Sequence, residues 1–186
     1  MNLRQLPNTI TIARMLMVPP LLWCLHSGNY VAALWIALTA GISDALDGWL
    51  AKRYGWQTWM GGMLDPIADK LLLDASFIGL WMADAVTLWL AALVVGRDVV
   101  IIAGASAYHF LIGPVTGSPT LLSKATTVVQ IAFVLAVLIG LVWRPLPMDM
   151  YLAAATVVAA LTFASGIDYV VRWGLRTRNA LRARHG

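Results

Sequence analysis

Glutamate is missing from this sequence: all nine acidic residues are aspartates. A short carboxylate holds a ligand close to the backbone, which suits rigid metal ligation. Cysteine occurs once, at Cys24, which excludes an intrachain disulfide and any Cys-rich zinc site. Cys24 stands in an apolar run, where an inert packing role is expected. Charge is scarce too. Only 12% of the 186 residues are charged, against roughly a quarter in soluble domains. With 60% hydrophobic residues and a mean hydropathy of +0.77, the composition is that of a membrane protein. Internal repeats and low-complexity linkers are absent, so residues 1–186 read as one domain. The pI of about 9.6 does not argue for nucleic acid, because much of the positive charge lies in the tail after Arg172. A basic tail beside apolar segments suits anionic lipid head groups.

Long apolar runs are what the chain has in abundance. A spanning helix needs about 20 mostly apolar residues, and six segments qualify, near 9–27, 31–51, 62–82, 86–111, 121–143 and 150–172. The expected fold is an all-α integral membrane bundle of six transmembrane helices. Residues 1–14 read as an interfacial lead-in, set off by Pro7, and residues 173–186 as a basic tail. A removed signal peptide is not expected, since no small-x-small site closely follows the first apolar run. The connections alternate in charge. Arg4, Arg14, Lys52, Arg53, Lys124 and the Arg-rich end share one side, while the other has Arg144 alone. By the positive-inside rule both termini are cytoplasmic, in a multi-pass protein of the membrane.

Against that background the stretch from Ser43 to Lys70 stands out, because it holds Asp44, Asp47, Asp65 and Asp69. A carboxylate at the bilayer centre costs about 2.5–3.5 kcal/mol on insertion scales. The first two are three residues apart and the second two are four apart, so each pair shares one helix face. Two antiparallel segments would bring both pairs to the cytoplasmic ends at similar depth. Four facing carboxylates repel one another unless cations lie between them. Hard oxygen donors suit Mg²⁺ or Mn²⁺, and a pair of such ions serves phosphoryl chemistry. Gly48, Ala51 and Gly61 keep nearby helix surface thin enough for a phosphorylated ligand, and Lys52 with Arg53 supplies positive charge. The plainer reading of the small residues is helix packing. Aspartates on facing helices could also form the path of a divalent-cation transporter, although such sites tend to lie at the midplane between repeated halves.

Asp44, Asp47, Gly48, Ala51, Lys52, Gly61, Asp65 and Asp69 fall in the pattern D-x-x-D-G-x-x-A-R, eight residues, G-x-x-x-D-x-x-x-D, with every spacing matched. This resembles the signature of the CDP-alcohol phosphotransferases. Lys52 stands where the pattern has Arg, which keeps the charge but loses the planar fork. "PNTITIAR", "LDPIADK", "GRDVVIIAG" and "SKATTVVQ" are similar to segments of the bacterial phospholipid-making members. The resemblance implies six transmembrane helices, a homodimer, and a site open to the cytoplasmic leaflet of the bacterial inner membrane. It also implies transfer of a phosphatidyl group from CDP-diacylglycerol to a hydroxyl, with release of CMP. Asp44, Asp47, Asp65 and Asp69 would hold two divalent ions, Asp69 would also act as base, and Gly48, Ala51, Lys52 and Gly61 would line the donor site.

For the acceptor, the resemblance assigns a phosphate-binding role to Arg97 and Lys124; the alternative for Arg97 is an ion pair with Asp74 or Asp168. Asp98, about 100° further round the helix, is expected to serve a different contact. Asn8, Thr11 and Arg14 are candidates for the lipid-side phosphate or for a simple interfacial anchor, and His109 for a satisfied helix-end residue. The Arg-Asp pair at 97–98 and "SPTLLSK" look more like the cardiolipin-making branch, with phosphatidylglycerol as acceptor. Glycerol 3-phosphate is the alternative, since that branch more often carries a further Arg where this chain has "SAYHF".

Overall fold

A computed structural model describes residues 6–54, 59–111 and 120–185; within its helices the side chains of 6–10, 44–54, 59–67, 69, 107–111 and 176–185 lie outside the description. Among the described residues the chain is all-helical, in seven helices: α1 (Leu6–Leu16), α2 (Val18–His26), α3 (Tyr30–Tyr54), α4 (Trp59–Met82), α5 (Leu88–Leu111), α6 (Leu121–Val142) and α7 (Met148–His185). Three are long and apolar enough to cross a membrane, over Leu88–Ser106, Leu121–Val142 and Met148–Leu175.

The three segments expected to cross first are also helical, but differ in character. The first breaks at Met17, just before Pro19 and Pro20, into helices of 11 and 9 residues. Prolines are tolerated in a first helical turn and supply no amide N–H to the turn before, so the break falls at that point. The described apolar stretches there are Thr11–His26 and Tyr30–Ser43, the second ending where the described side chains of α3 end. The aspartates of α3 and α4 interrupt the remaining hydropathy.

Two compact groups of residues are distinguished, one of residues 1–87 and 134–146, the other of 88–133 and 147–186. In the first, α1 and α2 each pack against both α3 and α4. The buried positions recur at helical spacing, with Leu21 and Leu25 on α2, Ala33 and Ala40 on α3, and Leu73, Phe77 and Leu80 on α4. Gly79 permits the contact of α4 with α2, because a Cβ there would fall inside the Leu25 side chain. Two turns redirect the chain by the same device. After α2, Gly28 takes φ +76°, with the Gly28 and Asn29 amides donating to Leu25 O (3.3 Å) and Cys24 O (2.8 Å). This closes a Schellman motif. Asn29 then accepts from the Ala32 amide at 3.2 Å to open α3. After α4, Asp84 occupies the same left-handed position at φ 55°, with the Asp84 and Ala85 amides donating to Trp81 O (3.0 Å) and Leu80 O (2.9 Å).

In the second group α5 packs along α7. Gly104 leaves room for the Tyr169 ring, whose edge would lie 3.2 Å from a Cβ there. The Tyr169 hydroxyl donates to the Ile101 carbonyl at 2.8 Å, supplying a partner for the polar end of a ring otherwise held by apolar contact. α6 is joined to α7 by polar side chains. Gln130 Nε2 donates to Thr162 Oγ1 at 2.9 Å, and the Thr126 hydroxyl lies 2.8 Å from Leu122 O and 3.3 Å from Leu161 O. Helices in lipid gain little from apolar contact with one another, so such bonds and small residues carry much of their association.

Candidate active site

All four sequence-identified aspartates stand on continuous helix, Asp44 and Asp47 on α3 and Asp65 and Asp69 on α4. Unbroken helix through these positions gives each pair the one-turn spacing on which the metal reading depends. Gly48, Ala51 and Lys52 follow on α3, and Gly61 lies in the first turn of α4. The side chains of these eight residues lie outside the described ones, as do those of Asn8 on α1 and His109 on α5. Among the described residues no three His, Cys, Asp or Glu side chains gather as a metal site. An oxygen-donor set on α3 and α4 has the chemistry for a hard divalent ion.

α1 packs against both aspartate-bearing helices. Thr11 and Arg14 are fully buried there, rather than presented as an exposed anchor. A buried guanidinium requires compensating polar groups in its surroundings, and α3 and α4 carry five aspartates between them.

The acceptor candidates belong to the second group. Arg97, the tenth residue of α5, is 6% exposed and Asp98 2%. Arg97 Nη1 donates to the Asp98 carboxylate. Its Nη2 donates to Ser123 Oγ on α6 at 2.8 Å and to Ser165 Oγ on α7 at 2.7 Å. One guanidinium thereby ties three helices together. This corrects two expectations. Asp98 is a direct partner of Arg97 and so does not serve only a different contact, because the long Arg side chain turns back to the neighbouring carboxylate where both are out of water. Asp168 is not the partner of Arg97 either: it accepts from Arg172 Nε at 2.6 Å, one turn further along α7. Ser123 and Ser165 were not singled out from the sequence. The signal was a spacing of small polar residues, with Ser123, Thr126 and Gln130 on α6 and Thr162 and Ser165 on α7.

Lys124 is exposed in the first turns of α6. Thr120 caps that helix, its hydroxyl accepting from the Ser123 amide at 3.1 Å. A cation near a helix N-terminus opposes the macrodipole, so Lys124 does not stabilise its own helix. It is available to an anion.

Residues 4–166 match the family model described as CDP-alcohol phosphatidyltransferase, a stretch that takes in every candidate site residue. The chain belongs to the CDP-alcohol phosphatidyltransferase family. It is 37% identical over 182 residues to a "Probable phosphatidylglycerophosphate synthase" of Mycobacterium tuberculosis, covering 92% of this chain and 82% of that protein. It is 31% identical to a "Probable cardiolipin synthase (CMP-forming)" of Drosophila melanogaster, covering 91% of this chain and 58% of the relative. A "Cardiolipin synthase (CMP-forming)" of Homo sapiens is 28% identical over 95% of this chain and 64% of its own length. Membership makes the chain an enzyme of phosphatidyl transfer and sets aside the cation-transporter reading. The similar proteins carry both acceptor names, so likeness alone does not choose between them.

Proposed function

We propose that this phosphatidyltransferase moves the phosphatidyl group of CDP-diacylglycerol to a glycerol-type alcohol and releases CMP, acting at the cytoplasmic face of the bacterial inner membrane. The observation that carries this is the intact spacing of the two aspartate pairs on continuous helices α3 and α4, within a stretch matching the family. Asp44, Asp47, Asp65 and Asp69 would hold divalent metal, Mg²⁺ or Mn²⁺, as two ions. When bound, the metal supplies charge neutralisation for the pyrophosphate.

The rest falls to the chain. Gly48, Ala51, Lys52 and Gly61 bind and orient the cytidine diphosphate. Asp69 takes the proton of the acceptor hydroxyl as its oxygen bonds to the phosphorus bearing diacylglycerol, and the bond from that phosphorus to the CMP oxygen breaks. Arg97 and Lys124 hold the acceptor's phosphate, while Asn8, Thr11 and Arg14 serve the lipid-side phosphate. Phosphatidylglycerol is the acceptor of this reading, and cardiolipin the product. The identity to a probable phosphatidylglycerophosphate synthase supports glycerol 3-phosphate as the second reading.

The proposed arrangement is a homodimer of subunits with six transmembrane segments, each a single domain, with both termini cytoplasmic, the lead-in at residues 1–14 and the basic tail at 173–186 on that side. The test is an acceptor screen. Purified protein in detergent, with CDP-diacylglycerol and Mn²⁺ or Mg²⁺, receives each alcohol separately while CMP and lipid products are measured. CMP release dependent on phosphatidylglycerol is the expected result. Dependence on glycerol 3-phosphate selects the second reading, and folded protein that releases no CMP with any alcohol defeats both.

A further inference from the structure

Arg97 stands where three helices meet, and its partners differ in what they can fix. Asp98 is the next residue on the same helix, so its bond to Nη1 turns the guanidinium without locating it against any other helix. Asp98 also has a further interaction besides this one, so its carboxylate is not committed to Arg97 alone. The bonds that run between helices come from Nη2. Its two N–H groups have two hydroxyl acceptors, Ser123 Oγ on α6 at 2.8 Å and Ser165 Oγ on α7 at 2.7 Å. Hydroxyls hold a guanidinium in place without cancelling its charge, as a second carboxylate would.

The two serines are not equivalent. Ser123 is half-buried, while Ser165 is 3% exposed. The stem of Arg97 also lies against α7, since a Cβ at Gly166 would meet Arg97 Cγ at an ordinary contact distance of 3.7 Å. Stem and head of the side chain therefore rest on neighbouring residues of one helix, and the bond at the head is buried. A hydrogen bond from an ionised donor is about twice as strong as a neutral one. From the same Nη2 the linkage passes to α6. Ser123 is in the first turn of that helix, where its amide donates to Thr120 Oγ1 and the Lys124 amide to Thr120 O, both at 3.1 Å. A buried serine on α7 thus holds the guanidinium that holds the turn leading into the exposed lysine.

We infer that Ser165 is a positioning residue for the acceptor: by fixing the Arg97 guanidinium on α7 it sets, through the shared Nη2, the first turn of α6 and with it Lys124. This rests on the reading of Arg97 and Lys124 as the acceptor side. Ser165 acts through Arg97 and is not itself a catalytic residue.

The test is a double-mutant cycle on KM, a quantity that does not change with the amount of folded protein. Phosphatidylglycerol in mixed micelles and glycerol 3-phosphate are each offered with CDP-diacylglycerol, and the one giving faster CMP release by wild type is kept as acceptor. Ser165→Ala is expected to raise the acceptor KM about threefold or more, a part of the roughly tenfold that a hydrogen bond to a charged group can carry. The donor KM should stay within about twofold. In an Arg97→Ala background Ser165→Ala should add nothing, because a residue acting through Arg97 has nothing left to act on. Should Arg97→Ala not fold, Arg97→Lys replaces it in the cycle, since lysine lacks the fork that reaches two hydroxyls. The inference is overturned if the Arg97 variant raises the acceptor KM and Ser165→Ala does not. It is also overturned if Ser165→Ala raises both KM values equally, or if its effect adds in full to that of the Arg97 variant. An Arg97 variant that leaves the acceptor KM unchanged defeats instead the acceptor-side reading on which the inference rests. Folded wild type that releases no CMP with either acceptor defeats the phosphatidyl-transfer reading itself.

Discussion

Thr162 and Gln130 form the two ends of one buried hydrogen bond, and substitutions at the two ends should change stability in opposite directions. Gln130 is 1% exposed and Thr162 0%. The amide donates to the Thr162 hydroxyl through Nε2, while its Oε1 has no partner among the described residues. Reversing the amide would exchange the two ends and still leave one over. Gln130→Leu forfeits a bond worth about 0.6 kcal/mol on average between membrane helices, and about 1.7 at most. It also removes a stranded polar atom whose burial costs about 1–3 kcal/mol. Thr162 can then turn its hydroxyl back to a carbonyl one turn earlier on α7, as Thr156 does to Leu152 at 2.7 Å. The net expectation is a gain of about 0–2 kcal/mol. Thr162→Val does the reverse, leaving the Gln130 amide with neither end satisfied, and costs about 1–3 kcal/mol. With about 2–4 °C per kcal/mol for a chain of this size, the variants should bracket wild type in a thermal melt in detergent, read from the nine tryptophans. If both substitutions destabilise by similar amounts, the leftover amide end is satisfied and the reasoning is refuted.

Arg97→Ala should raise the acceptor KM far more than the donor KM, measured by CMP release with each substrate varied in turn; equal effects on both would indicate a purely structural pair. Asp84→Gly should stabilise by up to about 1 kcal/mol, because the left-handed backbone at φ 55° costs a side chain and not a glycine. Gly28→Ala should destabilise by about 1–2 kcal/mol for the same reason at φ +76°, and the two melts together test whether the turns share one geometry.

The helix limits were legible because apolar run length and breakers set them. The segments expected at 86–111 and 121–143 are α5 at Leu88–Leu111 and α6 at Leu121–Val142. α7 runs past the expected end of its span, from Met148 to His185. Its basic tail is rich in Arg, Leu and Ala, good helix formers with no proline among them. The break at Met17 was less legible, since Pro19 and Pro20 could equally have bent one continuous helix. Spacing made the aspartate pairs visible, as three- and four-residue intervals carry their geometry with them.

The surroundings of Arg97 were not legible for the opposite reason. Ser123 and Ser165 reach it from helices 26 and 68 residues away in sequence, and no local pattern announces such a meeting. Helical angle placed Asp98 away from Arg97, but angle describes Cβ directions. The reach of a flexible guanidinium exceeds the separation they imply, and burial drives it to the nearest carboxylate.

The central claim is that the four aspartates perform metal-dependent phosphatidyl transfer. Its most direct test is CMP release from CDP-diacylglycerol by wild type and by Asp65→Asn and Asp69→Asn, each shown to be folded by its melt, with and without Mg²⁺ or Mn²⁺. The account predicts metal-dependent CMP release by wild type and none above background from either variant. Near-wild-type release by either folded variant, or release indifferent to metal removal, would contradict it.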